Sequence, residues 1–357
     1  MPARARPKAT TRRRRVARIV LVIAAVLAVA ATALGGLVVW QNSYDLREVT
    51  VTVRHGDRTL HGVLALPERG SGPFPLVVFV HGDGPVDATH DGFYRPIWES
   101  FARAGYASLS WNKPGVGDAP GDWLDQSMED RAREAADAIA WARQRPEVDG
   151  GRIGLWGASQ AGWVLPKIVA GDGRIRFAIA VSPAVNWHRQ GRYNLLAELR
   201  RDGASAAETA AALRRRQTGL ELLGRGASYE EYVRVVGDPH GMTAARWRFV
   251  SKNHTADVSA DLPALRGIPV LLVLAGHDVN VDTADTETAY RRLLPAPPLR
   301  VARYPDATHA LLGHDVETSP LRLTLTALCA PRALFAEGFL ADQRQFLSSL
   351  DTRGTRR

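Results

Sequence analysis

The sequence is short of cysteine. Cys329 is the only one among 357 residues, so no disulfide can form within the chain and no cysteine-built metal site is possible. Stability therefore rests on the apolar core, wherever the protein works. Acidic residues are missing from positions 1–18, where Arg4, Arg6, Lys8, Arg12, Arg13, Arg14, Arg15 and Arg18 supply eight positive charges. The chain carries a net charge of +9, so the remainder is close to neutral. That remainder contains no basic stripe interleaved with aromatics, which argues against nucleic acid as a partner. There are no internal repeats, and no low-complexity segment beyond the basic head. The Gly115-x-Gly117 pair lacks the spacing of a dinucleotide-binding loop.

Charge is also missing from Ile19 to Trp40, a run of 22 residues directly after the arginines. As a helix it is long enough to cross a hydrocarbon layer of about 30 Å. Arginines on its amino side are expected to stay in the cytoplasm and send the rest of the chain outside. A cleaved signal peptide, with Ala31-Thr32-Ala33 as a small-x-small site, is the alternative. Apolar character continues past that site to Trp40, and an interfacial Trp suits a retained anchor, so the anchor is favoured. Arg14-Arg15 has little of the context of a twin-arginine signal. The sequence thus divides into a basic, disordered cytoplasmic tail (1–18), a membrane segment (19–40), a main domain (41–350) and a short tail (351–357).

In the main domain, Val49–Arg54 and Thr59–Leu66 alternate in β fashion around a His55-Gly56-Asp57-Arg58 turn, which predicts an antiparallel hairpin. Leu76–Val80, Tyr106–Trp111, Ile153–Trp156, Phe177–Val181, Val270–Leu274 and Arg300–Tyr304 read as buried strands. Between them lie helical segments such as Ile97–Ala104 and Met128–Arg145. Buried strands separated by helices imply an α/β fold, a mainly parallel sheet with helices on both faces. Residues 186–262 break the rhythm. They read as charged amphipathic helices and are too long for an ordinary connection. An inserted helical cap over the carboxyl ends of the strands is expected there, less stable than the core because of its charge.

The segment Gly154-Leu155-Trp156-Gly157-Ala158-Ser159-Gln160-Ala161-Gly162 has the layout of a nucleophile elbow, in which a strand, a sharp turn carrying a serine and a helix follow one another. Such a turn holds the serine in a strained conformation and needs small neighbours. Gly157 and Ala161 are small, although Ala161 stands where glycine is usual. A serine hydroxyl needs a base, and the base needs an acid to orient it. Asp278 follows the strand Val270–Leu274, and His309 follows Arg300–Tyr304. Asp282 competes with Asp278, and His314 competes with His309. The first acid after the strand and the histidine on the shorter turn are preferred. Backbone N–H groups of Gln160 and of Asp83 or Gly84, in the loop after Leu76–Val80, are candidate oxyanion donors. Trp163, Trp187 and Tyr193 are candidates to line a substrate pocket.

These motifs, with the His81-Gly82-Asp83-Gly84-Pro85 loop and the Lys113-Pro114-Gly115-Val116-Gly117 turn, resemble the α/β-hydrolase superfamily. The likeness is to its esterase branch, related to dienelactone hydrolases and to the catalytic domains of prolyl-oligopeptidase-type enzymes, and it spans about Glu48 to Leu350. It implies an α/β-hydrolase fold, a Ser159–Asp278–His309 triad and no cofactor, and says little of the substrate. A serine hydrolase acting on a small-molecule carboxylic ester outside the cytoplasmic membrane is the leading reading. Ala161 and the carboxylate of Asp83 depart from the usual pattern. If Asp83 faced inward it would disfavour anionic substrates. A peptidase or amidase, a thioesterase or acyltransferase, and an inactive envelope scaffold are the alternative readings.

Overall fold

A computed structural model of the chain describes residues 9–237, 241–295 and 299–354. It opens with a 33-residue helix, α1 (Ala9–Gln41). The tail expected to be disordered is therefore helical from Ala9. Alanine and arginine are good helix formers, and they extend the apolar helix backwards. Residues 1–8 and 355–357 lie outside the described residues. Residues 15–41 of α1 are long and apolar enough to cross a membrane, and their apolar window is not covered by the rest of the chain.

The hairpin follows as β1 (Leu46–His55) and β2 (Arg58–Pro67), paired antiparallel. Then come β3 (Phe74–Val80), α2 (Arg95–Ala102), β4 (Ala107–Trp111), α3 (Met128–Ala142), β5 (Val148–Ala158), α4 (Leu165–Gly171) and β6 (Ala178–Val181). Four helices, α5 (Trp187–Arg201), α6 (Ala206–Gly224), α7 (Tyr229–Val236) and α8 (Ala244–Asn253), stand between β6 and β7 (Val270–His277). The chain ends with α9 (Thr283–Leu293), β8 (Leu299–Thr308), α10 (His314–Glu317), α11 (Pro320–Cys329) and α12 (Phe339–Gly354). The strands form one sheet in the order β1-β2-β4-β3-β5-β6-β7-β8. From β4 to β8 every neighbouring pair is parallel, and β2 is antiparallel to both β1 and β4.

The inner strands β3, β4 and β6 are buried on both faces, and β7 is buried along Val270–Ala275, whereas the edge strands β1 and β8 mix buried and exposed positions. On β3, Leu76, Val78 and Val80 enter one core, and Val77 and Phe79 enter the other, as the two-residue period of a strand requires. The first core lies under α3, α4 and the insertion, and the second under α2 and α12. Leu222, Leu223, Trp247, Phe249 and Val250 of the insertion belong to the first core. The insertion is therefore continuous with the sheet's packing, despite its charged surface. The sequence pattern places its helices at Leu195–Arg201, Ala206–Leu223, Tyr229–Val236 and Thr243–Lys252; α6–α8 lie within one residue of these bounds, and α5 starts eight residues earlier.

Candidate active site

β5 ends at Ala158, and Ser159 begins a short 3-10 turn that leads into α4. The expected continuous helix is broken at this point, where Pro166 opens α4. Ser159 has φ of 55°, a left-handed conformation that a side chain other than glycine adopts only under constraint. The constraint is visible. The Ser159 carbonyl accepts from Ala184 N at 3.0 Å. A Cβ on Gly157 would stand 2.8 Å from the Ala161 Cβ. The methyl of Ala161 thus fits because residue 157 has none.

Asp278 and His309 follow the carboxyl ends of β7 and β8. They are brought together at 2.8 Å between His309 Nδ1 and Asp278 Oδ2. Asp278 is buried, and its other oxygen accepts from the backbone N–H groups of Asn280 (2.9 Å) and Val281 (2.8 Å). The competitors have other partners. Asp282 caps α9 by accepting from Ala284 N and Asp285 N. His314 stacks on His277 with centroids 4.0 Å apart. Ser159 and His309 line one cavity of about 270 Å³. Its walls are mostly apolar, from Val86, Phe93, Tyr94, Ile97, Trp156 and Phe339. A second, more polar cavity of about 370 Å³ also meets Ser159 and is walled by Gln160, Trp163, Trp187 and Arg246. Asp83 and Asn280 line both.

Of the expected pocket residues, Trp163 and Trp187 line the polar cavity and stack at 5.0 Å. Tyr193 stands outside the walls of both cavities. Its hydroxyl donates to the Asp278 carbonyl at 2.7 Å, so it braces the acid's turn. Gln190 and Asn194, also on α5, donate to the carbonyls of Asn280 and Val279.

The 81–84 loop is held by two cations, Arg131, which the sequence reading did not single out, and Lys113, which it named only as part of a turn. Lys113 Nζ donates to the carbonyls of Gly82 (2.6 Å) and Gly84 (2.8 Å). Arg131 donates to the His81 carbonyl and to Gln160 Oε1. In a trans peptide the carbonyl and the next N–H point in opposite directions. With the Gly82 carbonyl drawn to Lys113, the Asp83 N–H faces away from it. Gly82 itself packs on the elbow, where an added Cβ would lie 3.5 Å from the Ser159 Cβ. The Asp83 carboxylate turns to the insertion, receiving Arg246 at 2.6 and 3.0 Å and Gln160 Nε2 at 3.0 Å. Arg246 balances its charge, which offsets the repulsion of anionic substrates that an inward-facing carboxylate would cause. Arg131 carried a signal in the sequence, being in helical phase with the buried Ala135, Ala138 and Ala142. Lys113 was marked only by its place in the turn that opens with it, with nothing to indicate a role in holding the loop.

Burial governs the titration of this cluster. It pushes Lys113 well below the ordinary lysine value, with the nearby Arg131 acting in the same direction. It likewise lowers Arg131. His81 is pushed well below the usual histidine range by burial and by Lys113. It is thus neutral, its Nε2–H donating to the Trp111 carbonyl at 2.5 Å and its Nδ1 accepting from the Tyr94 hydroxyl at 3.0 Å. Burial acts to raise Asp83, but the bonds and charge of Arg246 override it, and the carboxyl lies below its ordinary value.

This strand order, with a strained serine after β5 and an Asp–His pair after β7 and β8, is the architecture of an α/β-hydrolase. Residues 72–317 match the family Hydrolase_4, described as serine aminopeptidase, S33, and the chain belongs to that family. Among curated proteins it is similar to esterase EstD of Thermotoga maritima, 22% identical over 290 residues, covering 78% of this chain and 63% of that one. It is also similar to esterase FrsA of Yersinia pestis, 30% identical over 148 residues, covering 40% and 33%. The chain thus spans less than two thirds of these relatives. Solved structures of the same fold include the α/β-hydrolase GrgF of Penicillium (TM-score 0.57, 20% identity, 85% and 99% covered). The Pyrococcus furiosus esterase Pf2001 is another (0.55, 14%, 87% and 92%).

Proposed function

We propose that the protein is a membrane-anchored carboxylic ester hydrolase that works outside the cytoplasmic membrane. The observation that carries the reading is the strained Ser159 sharing a cavity with His309, whose other face is held 2.8 Å from the buried Asp278. In this mechanism His309 takes the Ser159 proton as the serine attacks the acyl carbonyl. Asp278 orients the imidazole and stabilises its charged form. The N–H groups of Gln160 and Asp83 or Gly84 receive the developing oxyanion. His309 then returns the proton to the leaving alcohol, and water releases the acyl group by the same route. The apolar cavity suits the acyl side, and the polar cavity the alcohol.

Esters are favoured over amino-terminal peptides by the charge pattern. Recognition of a free amino end calls for an unpaired carboxylate near the serine. Asp83 is the only acidic residue among the described residues lining either cavity, and Arg246 and Gln160 occupy it. The outward location rests on the arginine block ahead of the apolar part of α1. A fluorophosphonate probe should label the wild type and not Ser159→Ala, with hydrolysis of a short nitrophenyl ester lost in parallel. Labelling that survives the substitution would overturn the assignment. Protease added to spheroplasts should digest the hydrolase domain, and a protected domain would overturn the location.

A further inference from the structure

The described part of the chain exposes few large apolar side chains outside α1. There are four, Val235, Leu321, Leu325 and Leu328, and the last three are on α11. Their spacing of four and three residues puts them on one face of the helix. They are 69%, 52% and 61% exposed. A soluble domain rarely concentrates its bare leucines in this way.

The stripe lies beside the point where α1 ends. Asn42 Nδ2 donates to the Leu328 carbonyl at 2.8 Å. Arg332, just after α11, donates to the carbonyls of Gln41 and Ser43 and pairs with the buried Glu99 at 2.6 and 2.8 Å. Asp45 N completes the joint by donating to Glu99 at 3.1 Å. The end of the membrane-length helix is thus fastened to the hydrolase domain at the foot of α11.

Between this joint, α11 and the 90–96 segment lies a cavity of about 650 Å³, larger than either cavity at Ser159. Leu46, Leu323 and Ala327 line it, and so do His90 and Phe93. His90 and Phe93 also wall the apolar cavity that holds Ser159 and His309. His90 and Asp91 both have φ of 52° and Gly92 has 85°, so a strained turn carries this shared wall.

We propose that α11 rests on the outer leaflet of the bilayer beside α1, and that the large cavity admits the acyl chain of a lipid ester from the membrane past His90 and Phe93 toward Ser159. The proposal rests on the anchored-esterase reading and narrows its substrate to long-chain esters resident in the membrane. The occupant of the leucine stripe is lipid, because the stripe adjoins the emergence of a helix that is itself apolar on every side.

The test uses the full chain reconstituted in phosphatidylcholine vesicles. Wild type, the combined variant Leu321→Ser/Leu325→Ser/Leu328→Ser, and Ala327→Trp are compared on nitrophenyl acetate in water and on nitrophenyl palmitate in the vesicles. Both variants should lose at least tenfold on palmitate and stay within twofold of wild type on acetate. In addition, Leu325→Cys in a Cys329→Ser background, labelled with a polarity-sensitive dye, should shift to the blue when vesicles are present. Unchanged palmitate turnover in both variants, equal loss on both substrates, or a dye that stays in water would each overturn the inference. A blue shift that requires only high protein concentration would assign the stripe to a second copy of the chain and overturn it too. Failure of the underlying reading looks different, since a wild type inactive on acetate refutes the esterase and one released by alkaline carbonate refutes the anchor.

Discussion

Lys113 offers the most demanding test of how the proposed oxyanion loop, residues 81–84, is held. Its ammonium is buried and donates to the carbonyls of Gly82 and Gly84, with the Trp123 ring 4.9 Å away. In Lys113→Met the stem is kept and the charge removed. Two carbonyls then lose their donor, at about 1–3 kcal/mol each if they stay buried. Against this stands the desolvation of a buried ammonium, worth several kcal/mol. The direction of the lysine's own shift, well below its ordinary value, says that burial outweighs its partners. The two effects oppose each other, and net stability should change by less than about 2 kcal/mol. Catalysis has no such offset. Losing an oxyanion donor outright costs about 10²–10³ in kcat. Arg131 still holds the His81 carbonyl, so the loop loosens without leaving. A fall of roughly 10–100-fold is expected, equivalent to about 1.4–2.7 kcal/mol. KM on a short nitrophenyl ester should barely move, because the lost interaction belongs to the transition state. The assay is steady-state kinetics beside a urea midpoint. An unchanged kcat would refute the claim that Lys113 positions the Asp83 N–H. A kcat loss matched by a stability loss above about 3 kcal/mol would reassign Lys113 to folding alone.

Other substitutions separate chemistry from scaffold. Ser159→Ala and His309→Ala should each lower turnover by roughly 10³-fold or more, since the two act as one unit, and Asp278→Asn somewhat less. Asp282→Ala should leave kcat unchanged and cost about 0.5–2 kcal/mol in a urea titration, because it removes the cap of α9. Arg246→Met should weaken the tie between the insertion and the 81–84 loop by about 1 kcal/mol or less, the pair being partly open to water, and hydrogen exchange of α8 would report it. Asp83 has a lowered value in the folded chain. The pair's contribution is therefore complete above about pH 4, the unfolded carboxylate's range. It is lost as pH falls through the lower folded value, so wild type and variant should converge only in acid. Convergence near pH 7 would contradict the sign.

The centre of the sheet was legible because its strands are buried on both faces and read as unbroken apolar runs, as Leu76–Val80 does, and the edge hairpin because its residues alternate. The elbow was legible because a strained serine tolerates only small neighbours. The Asp–His pair was legible because parallel strands deliver the loops after their carboxyl ends to a single edge. Three things were harder. The helices after β8 were not anticipated, since α11 shows its leucines to the outside and lacks the pattern of a packed helix. Tyr193 was expected in a pocket wall, but an aromatic on an amphipathic helix gives no hint that its hydroxyl will seek the Asp278 carbonyl. The partners of Asp83 were invisible, because Arg246 lies 163 residues away on a helix whose docking depends on the whole insertion.

Those long-range partners also shape the field at the proposed oxyanion site. Arg131 and Arg246 bring two positive charges to the loop and its surroundings, and Lys113 brings a third in its protonated form. Asp83 and Glu134 bring two negative ones, and both act on the titration of Lys113 and Arg131. Glu134 is further committed, accepting from Trp111 Nε1 at 2.6 Å and Gln126 Nε2 at 2.7 Å. With Lys113 protonated the group has an excess of one positive charge; Lys113, Arg131 and Glu134 are buried where charge is poorly screened, while the Asp83–Arg246 pair is partly open to water. A neutral ester entering this field gains little in the ground state. The negative charge that forms on its carbonyl oxygen gains more, and that difference is what accelerates a reaction. The neutral His81 fits the same scheme. As a second buried cation next to Lys113 it would add repulsion, and as a neutral ring it ties the loop to Tyr94 and Trp111. The departure of residue 83 from the usual neutral side chain is then coherent. Its carboxylate holds Arg246 in the wall of the polar cavity, and on the proposed mechanism the backbone N–H of the same residue receives the oxyanion.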